Sequence, residues 1–133
     1  MFTLDAQLAK DSSLITELEL CQLRLINDAH YPWVLLIPQR ENIVELLNLS
    51  VAEQQQWLIE LNHVSQTLRD IYQPDKLNIA ALGNVVKQFH THIIARYQTD
   101  ACWPKPVWGQ VQATPYTDEQ RNTIITKIKH GLA

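Results

Sequence analysis

Glycine is scarce in this chain, 3 residues in 133, and no GxGxxG or P-loop run is present, so a glycine-rich phosphate cradle is excluded as the main binding device. The two cysteines, Cys21 and Cys102, stand far apart without CxxC spacing. Neither a zinc ribbon nor a thioredoxin-type pair is supported, and both are expected as reduced packing thiols. Positive charge is not in excess either: 11 Lys and Arg face 14 Asp and Glu, a formal net charge of -3. That balance argues against sequence-independent nucleic-acid binding and leaves room for a local basic site only. The longest apolar run, WVLLI at 33–37, is far shorter than the roughly 20 residues of a bilayer-spanning helix. The opening MFTLDAQLAKDSS has no basic or apolar leader region, so the cytoplasm is the expected setting, without membrane or nucleic-acid partners.

What remains is the composition of a globular protein, 46% apolar and 19% charged, at a length suited to one domain covering residues 1–133. At this size roughly two thirds of the unfolded surface can be buried, so no disulfide or structural metal is needed for stability.

DAQLAKD reads as a short helical turn, and LITELEL alternates as a half-buried strand does, with Leu18 and Leu20 opposite Glu17 and Glu19. The alternation slips at Cys21-Gln22, which predicts a turn or bulge and a second strand ending near Asn27. NDAHYP is a turn and WVLLIP a strand stopped by Pro38. From Ser50 to Tyr72 a long helix is expected: Ser50 and Glu53 form an S-x-x-E capping box, and Trp57, Leu58, Leu61, Val64, Leu68, Ile71 and Tyr72 make one stripe. LNIAAL and VVKQFHTHIIARY are strand-like, and a terminal helix is expected over about 117–131, capped by Thr117 and Gln120. The stretch 98–116 holds three of the six prolines and two tryptophans, a long loop of the kind that serves a site or an interface. Together these predict an α+β domain with helices on one face of a mainly antiparallel sheet.

A period of two in VVKQFHTHIIARY sets Gln88, His90, His92 and Ile94 on one strand face. Alternate strand residues lie roughly 7 Å apart, so two imidazoles could act on neighbouring atoms of one ligand. Three readings fit that row. It can be a solvated sheet face that happens to carry histidines. It can be part of a metal site, although further ligands are few. It can be a nucleophilic centre, because a neutral imidazole attacks well once its other nitrogen is held as a donor.

The run QFHTHIIAR at 88–96 resembles the histidine triad (HIT) signature H-φ-H-φ-H-φ-φ, φ being apolar, with Gln88 in the first histidine place, His90 in the second and His92 in the third. GNVVKQ at 83–88 is similar to the G-Q-[ST]-V-x-H approach to that triad, and LINDAHYPWVLLIPQR to the strand-turn-strand supplying nucleoside contacts; the likeness covers residues 14–109. The resemblance implies a HIT-like fold, commonly a homodimer, that binds a purine nucleotide or nucleotide conjugate. It implies hydrolysis or transfer at the α-phosphate of a nucleoside phosphoramidate or dinucleoside polyphosphate through a covalent nucleotidyl group on His90, with no metal or other cofactor. His92 would orient that nucleophile and donate to a phosphate or leaving-group oxygen. Asn27 would meet the ribose, Gly83 and Asn84 the phosphate, and Arg96 would attract it.

Three positions depart from the signature. Gln88 can hydrogen-bond but cannot take up a proton near neutrality. Thr91 replaces an apolar residue, and Val85 stands where Ser or Thr donates toward the leaving group. These departures motivate the alternative of a non-catalytic nucleotide-binding or regulatory protein with a degenerate triad.

Overall fold

The computed structural model describes all of residues 1–133. In chain order it comprises α1 (Ala6–Asp11), β1 (Ser12–Glu17), β2 (Cys21–Ile26), β3 (Trp33–Pro38), a 3-10 turn at Leu46–Asn48, α2 (Val51–Tyr72), β4 (Lys76–Ala80), β5 (Thr91–Arg96) and α3 (Asp118–Leu132). The strands form one five-stranded antiparallel sheet in the order β1-β2-β3-β5-β4, the mainly antiparallel α+β architecture that the sequence pattern predicts.

β3 and β5 are buried on both faces, which is why WVLLIP of β3 reads as an unbroken apolar run, whereas β5 buries the polar Thr91, His92 and Arg96 as well. Val34 and Leu36 of β3 join Leu23, Leu25 and Ile93 in the main core, against Leu61, Val64 and Leu68 of α2 and Ile128 of α3. Leu35 and Ile37 point the other way and meet Leu8 of α1. The expected placement of helices on one face therefore holds for α2 and α3, whereas α1 covers the opposite face beside the loop 97–117. Gly131 explains how closely α3 lies on α2: a Cβ there would come within 3.0 Å of Thr67 Cγ2 and 3.1 Å of Ile71 Cδ1.

The helix α2 begins where the S-x-x-E box predicts, with Ser50 accepting from the Glu53 amide and Glu53 from the Ser50 amide. Gln73 closes it in the left-handed conformation just before Pro74. Its apolar stripe differs from the expected one at one residue, because Leu58 is half exposed and Glu60 is buried instead. The Glu60 carboxylate accepts from the Leu20 and Cys21 amides at 2.9 and 2.8 Å and from Gln56 Nε2 at 2.7 Å. It thus satisfies the tip of the β1-β2 hairpin, where Leu18 N donates to the Cys21 carbonyl.

Two sequence expectations need correction. The slip in the β1-β2 ladder falls between Leu14 and Thr16, inside β1 rather than at Cys21-Gln22, and β1 ends at Glu17, so Leu18 and Leu20 belong to the hairpin turn. Gln88, Phe89 and His90 are not in the strand: pairing with β3 starts at Thr91 and β4 reaches only to His92. Without a neighbour on either side, residues 88–90 follow a separate path, pinned by Phe89 N donating to the Ile43 carbonyl.

Candidate active site

The sheet face opposite α2 carries an open cavity of about 770 Å³. Its floor is β3 and β5, its walls are α1 and the segment Leu82–Val86, and Trp108 closes one side. His90 and His92 both line it, their ring centroids 5.0 Å apart and the planes nearly perpendicular.

Each imidazole has one nitrogen committed to a partner of fixed character. His90 Nδ1 lies 2.7 Å from the main-chain carbonyl oxygen of Gln88, which can only accept. The proton of neutral His90 therefore sits on Nδ1, leaving the Nε2 lone pair free. His92 Nδ1 lies 3.0 Å from the indole Nε1 of Trp33, which can only donate. His92 in its neutral form thus carries its proton on Nε2. Burial, reinforced by the neighbouring His90, pushes His92 down to about 4, so it is neutral near pH 7. One lone pair and one N–H stand side by side in the cavity, a nucleophile next to a hydrogen-bond donor.

Asn27 borders the cavity, and its Oδ1 accepts from Tyr116 N at 2.9 Å, which leaves its amide group to donate. Gly83 and Asn84 lie on the opposite wall. Gly83 adopts φ +79°, a left-handed turn that suits glycine and swings the segment 83–86 against the histidines. Asp28, also on the wall, is buried and accepts from His30 N, His30 Nδ1 and Thr114 N, tying the β2-β3 turn to the long loop.

Two expected site residues lie elsewhere. Gln88 does not reach the cavity with its side chain: Oε1 accepts from Asp5 N at 2.8 Å and Nε2 donates to the Thr3 carbonyl at 2.9 Å, so the amide fastens the N-terminal arm. Its contribution beside the histidines is the main-chain carbonyl alone. Arg96 is also outside the cavity. Its side chain is 1% exposed and pairs with Asp100 through Nε at 2.7 Å and Nη2 at 3.1 Å, while Nη1 donates to Asn78 Oδ1. Asp100 in turn accepts from the Tyr97, Cys102 and Trp103 amides. The pair is a buried clasp for the start of the long loop.

In the sequence Trp33 shows only as the first residue of the strand WVLLIP, with nothing to connect it with the histidines. The signal was register: Leu35 stands opposite His92 on the neighbouring strand, so Trp33, two residues earlier on the same face, is its diagonal neighbour. Lys10 of α1 is the one Lys or Arg on the cavity wall, and it gave no sequence signal because α1 is remote in the chain. No group of three or more His, Cys, Asp or Glu side chains comes together as a metal site would require.

A family model described as the HIT domain matches residues 7–99. The chain belongs to the histidine triad family. Two solved HIT proteins superpose over nearly the whole chain. One, from Bradyrhizobium japonicum, is 41% identical with a TM-score of 0.97, covering 99% of this chain and 98% of that one. The other, from Marinobacter aquaeolei, is 42% identical with a TM-score of 0.96, covering 99% and 96%. Among curated relatives, bis(5'-adenosyl)-triphosphatase of Saccharomyces cerevisiae is 31% identical over 70 residues, 49% of this chain and 34% of that enzyme. The chain thus spans about a third of the length of the curated relatives it matches. Within this HIT chain, the first triad place is filled by a glutamine whose side chain serves the N-terminal arm.

Proposed function

We propose that this HIT protein is a nucleotide hydrolase or nucleotidyl transferase in which His90 is the nucleophile. The observation that carries the reading is the 2.7 Å contact of His90 Nδ1 with the Gln88 carbonyl, which leaves the Nε2 lone pair as the free nitrogen beside the cavity. Nε2 would attack the α-phosphorus of a nucleoside phosphoramidate or dinucleoside polyphosphate. A P–N bond forms, the bond to the leaving group breaks, and the leaving atom takes the electron pair. Water would then attack the same phosphorus and return the pair to Nε2, releasing the nucleoside monophosphate. Dividing the displacement into two steps asks mainly for in-line placement of phosphorus and imidazole. The His92 Nε2–H would hold a non-bridging oxygen, Asn27 would donate to the ribose, and Gly83 and Asn84 would border the phosphate.

The likeness to a bis(5'-adenosyl)-triphosphatase supports a nucleotide substrate. A cytoplasmic setting is part of the proposal, supported by the free thiols of Cys21 and Cys102. So is a homodimer, for which the half-exposed Ile79 on the edge strand β4 offers apolar surface.

The test is acid-quench trapping of label on the protein after mixing with labelled adenosine phosphoramidate and, separately, a labelled dinucleoside polyphosphate, beside His90→Ala. Label held by the unsubstituted protein and absent from the variant is expected. Nucleotide binding with no trapped label and no product would replace this reading with that of a binding protein.

A further inference from the structure

The nucleotide reading leaves the base unassigned, and the α1 wall of the cavity bears on it. Leu8 of α1, Ile26 and Leu35 pack together there and form an apolar slot. Leu35 stands opposite His92 in the ladder, so the slot begins beside the histidines and ends at α1. A flat heteroaromatic ring fits such a slot, and apolar contact by itself tells one purine poorly from another. What can discriminate is the row of polar side chains that α1 sets on the wall: Gln7, Lys10 and Asp11.

Gln7 and Asp11 stand one helical turn apart and act as a unit. Gln7 Nε2 lies 3.0 Å from Asp11 Oδ1 and 2.9 Å from Oδ2, so it donates to the carboxylate and fixes its direction. An ionised carboxylate only accepts, and both oxygens keep lone pairs beyond this contact. Two acceptor oxygens side by side match two adjacent N–H donors. Guanine has such a pair in N1–H and its 2-amino group. Adenine has a lone pair at N1, which would face the carboxylate, and no donor at C2. The placement fits as well: the Asp11 carbonyl accepts from Asn27 N at 3.0 Å, which makes the carboxylate a neighbour of the residue assigned to the ribose. The guanine 2-amino group is on the sugar-side edge of its ring.

Lys10 is the other charge that α1 brings to the wall. Its ammonium can donate to N7 of either purine, to O6 of guanine or to N1 of adenine, so this donor alone gives no fixed preference. The carboxylate does.

We propose that Asp11, steadied by Gln7, reads the base and makes the site prefer guanine to adenine. The inference rests on the reading of the cavity as a nucleotide site, with the nucleoside lying against α1. The carboxylate oxygens accept from N1–H and the 2-amino group at the edge of the ring, while the apolar slot meets its faces. Asp11 is exposed, so water competes for the same oxygens and the preference is of the order of tenfold.

The experiment is calorimetric titration of the full chain with the 5'-monophosphates of guanosine, inosine, adenosine and 2'-deoxyguanosine. The unsubstituted protein, Asp11→Asn and Lys10→Gln are compared. The guanosine nucleotide is expected to bind roughly tenfold more tightly than the adenosine nucleotide, with the inosine nucleotide, which keeps N1–H and lacks the 2-amino group, between them. In Asp11→Asn the guanosine and adenosine affinities are expected to come within about twofold of each other. In Lys10→Gln the preference is expected to remain. Equal affinities in the unsubstituted protein overturn the proposal, as does a preference that survives in Asp11→Asn or disappears in Lys10→Gln. A loss in Asp11→Asn that is the same for guanosine and adenosine and absent for 2'-deoxyguanosine would place the carboxylate on the ribose 2'-hydroxyl, and also overturns it. Failure of all four nucleotides to bind would sink the underlying reading, whereas binding without a base preference leaves that reading standing and removes this one.

Discussion

The imidazole Nδ1 of His90 is held 2.7 Å from the carbonyl oxygen of Gln88, two residues earlier in the chain, while the Gln88 side chain points to Asp5 and Thr3. The orienting group is thus main chain, and it survives any substitution at 88 that leaves the backbone in place. Gln88→Ala is expected to cost roughly 1–2 kcal/mol through the loosened N-terminal arm while keeping most of the turnover. His90→Ala should abolish turnover and trapped label. Parallel urea unfolding and product assays check the pair, and a Gln88→Ala protein as inactive as His90→Ala would show that the amide acts in catalysis after all.

Acid should weaken the fold in two stages. Burial, with His90 nearby, lowers His92 from an ordinary 6.5 to about 4. Between those values the unfolded chain binds more protons at this residue, so stability rises with pH there. The contribution is complete above about pH 6.5 and falls away toward pH 4, by roughly 3 kcal/mol in all. Burial pushes the Asp100 carboxyl up, but the Arg96 guanidinium and the Tyr97 and Cys102 amides outweigh it and hold it at about 2 against an ordinary 3.8. Its stabilisation is present above 3.8 and is lost as pH falls toward 2. Urea midpoints taken from about pH 7 to about pH 3 should show both slopes, and His92→Asn should flatten the upper one only.

Removing the Glu60 carboxylate leaves the Leu20 and Cys21 amides buried without an acceptor. Glu60→Ala is therefore expected to destabilise by roughly 2–4 kcal/mol, with Glu60→Gln losing less because one acceptor oxygen remains. The hairpin tip does not line the cavity, so nucleotide affinity of the folded fraction should be unchanged. Calorimetric titration alongside denaturation separates the two effects.

Arg96 and Asp100 make a pair whose side chains are only 1% and 3% exposed. Arg96→Leu strands a buried carboxylate and should cost roughly 3–5 kcal/mol, of which Asp100→Asn in the same chain should recover a large part. Nucleotide affinity measured on the folded protein tests the placement. A large affinity loss that the second substitution fails to restore would return Arg96 to the phosphate site.

The reach of the sequence differed from element to element. The capping boxes of Ser50 and Thr117 located both long helices because a cap is a local device. The strands around His92 were legible from apolar pattern, and the histidine spacing led to the family. Whatever depended on pairing between distant segments was not. Period two carried Gln88 and His90 into a strand that pairing begins only at Thr91, and nothing local marks where a neighbour stops. Arg96 read as a phosphate ligand because, although Asp100 is only four residues on, the contact with Asn78 of β4 and the buried face that enclose the pair come from distant segments. Trp33 drew no notice as a site residue because its N–H bond to His92 spans 59 positions of sequence.

The tryptophans divide by location in a way that gives the cavity its own optical signal. Trp33 and Trp108 both line it, 6.0 Å apart and perpendicular, each in contact with His92. Trp57 lies against Phe89, and Trp103 lies beside the Arg96 guanidinium. Intrinsic emission should therefore contain a component from Trp33 and Trp108 that responds to a base or phosphate entering the cavity, and a protonated imidazole would be expected to quench that component first. Occupancy and His92 charge can be followed in the unlabelled protein by light alone.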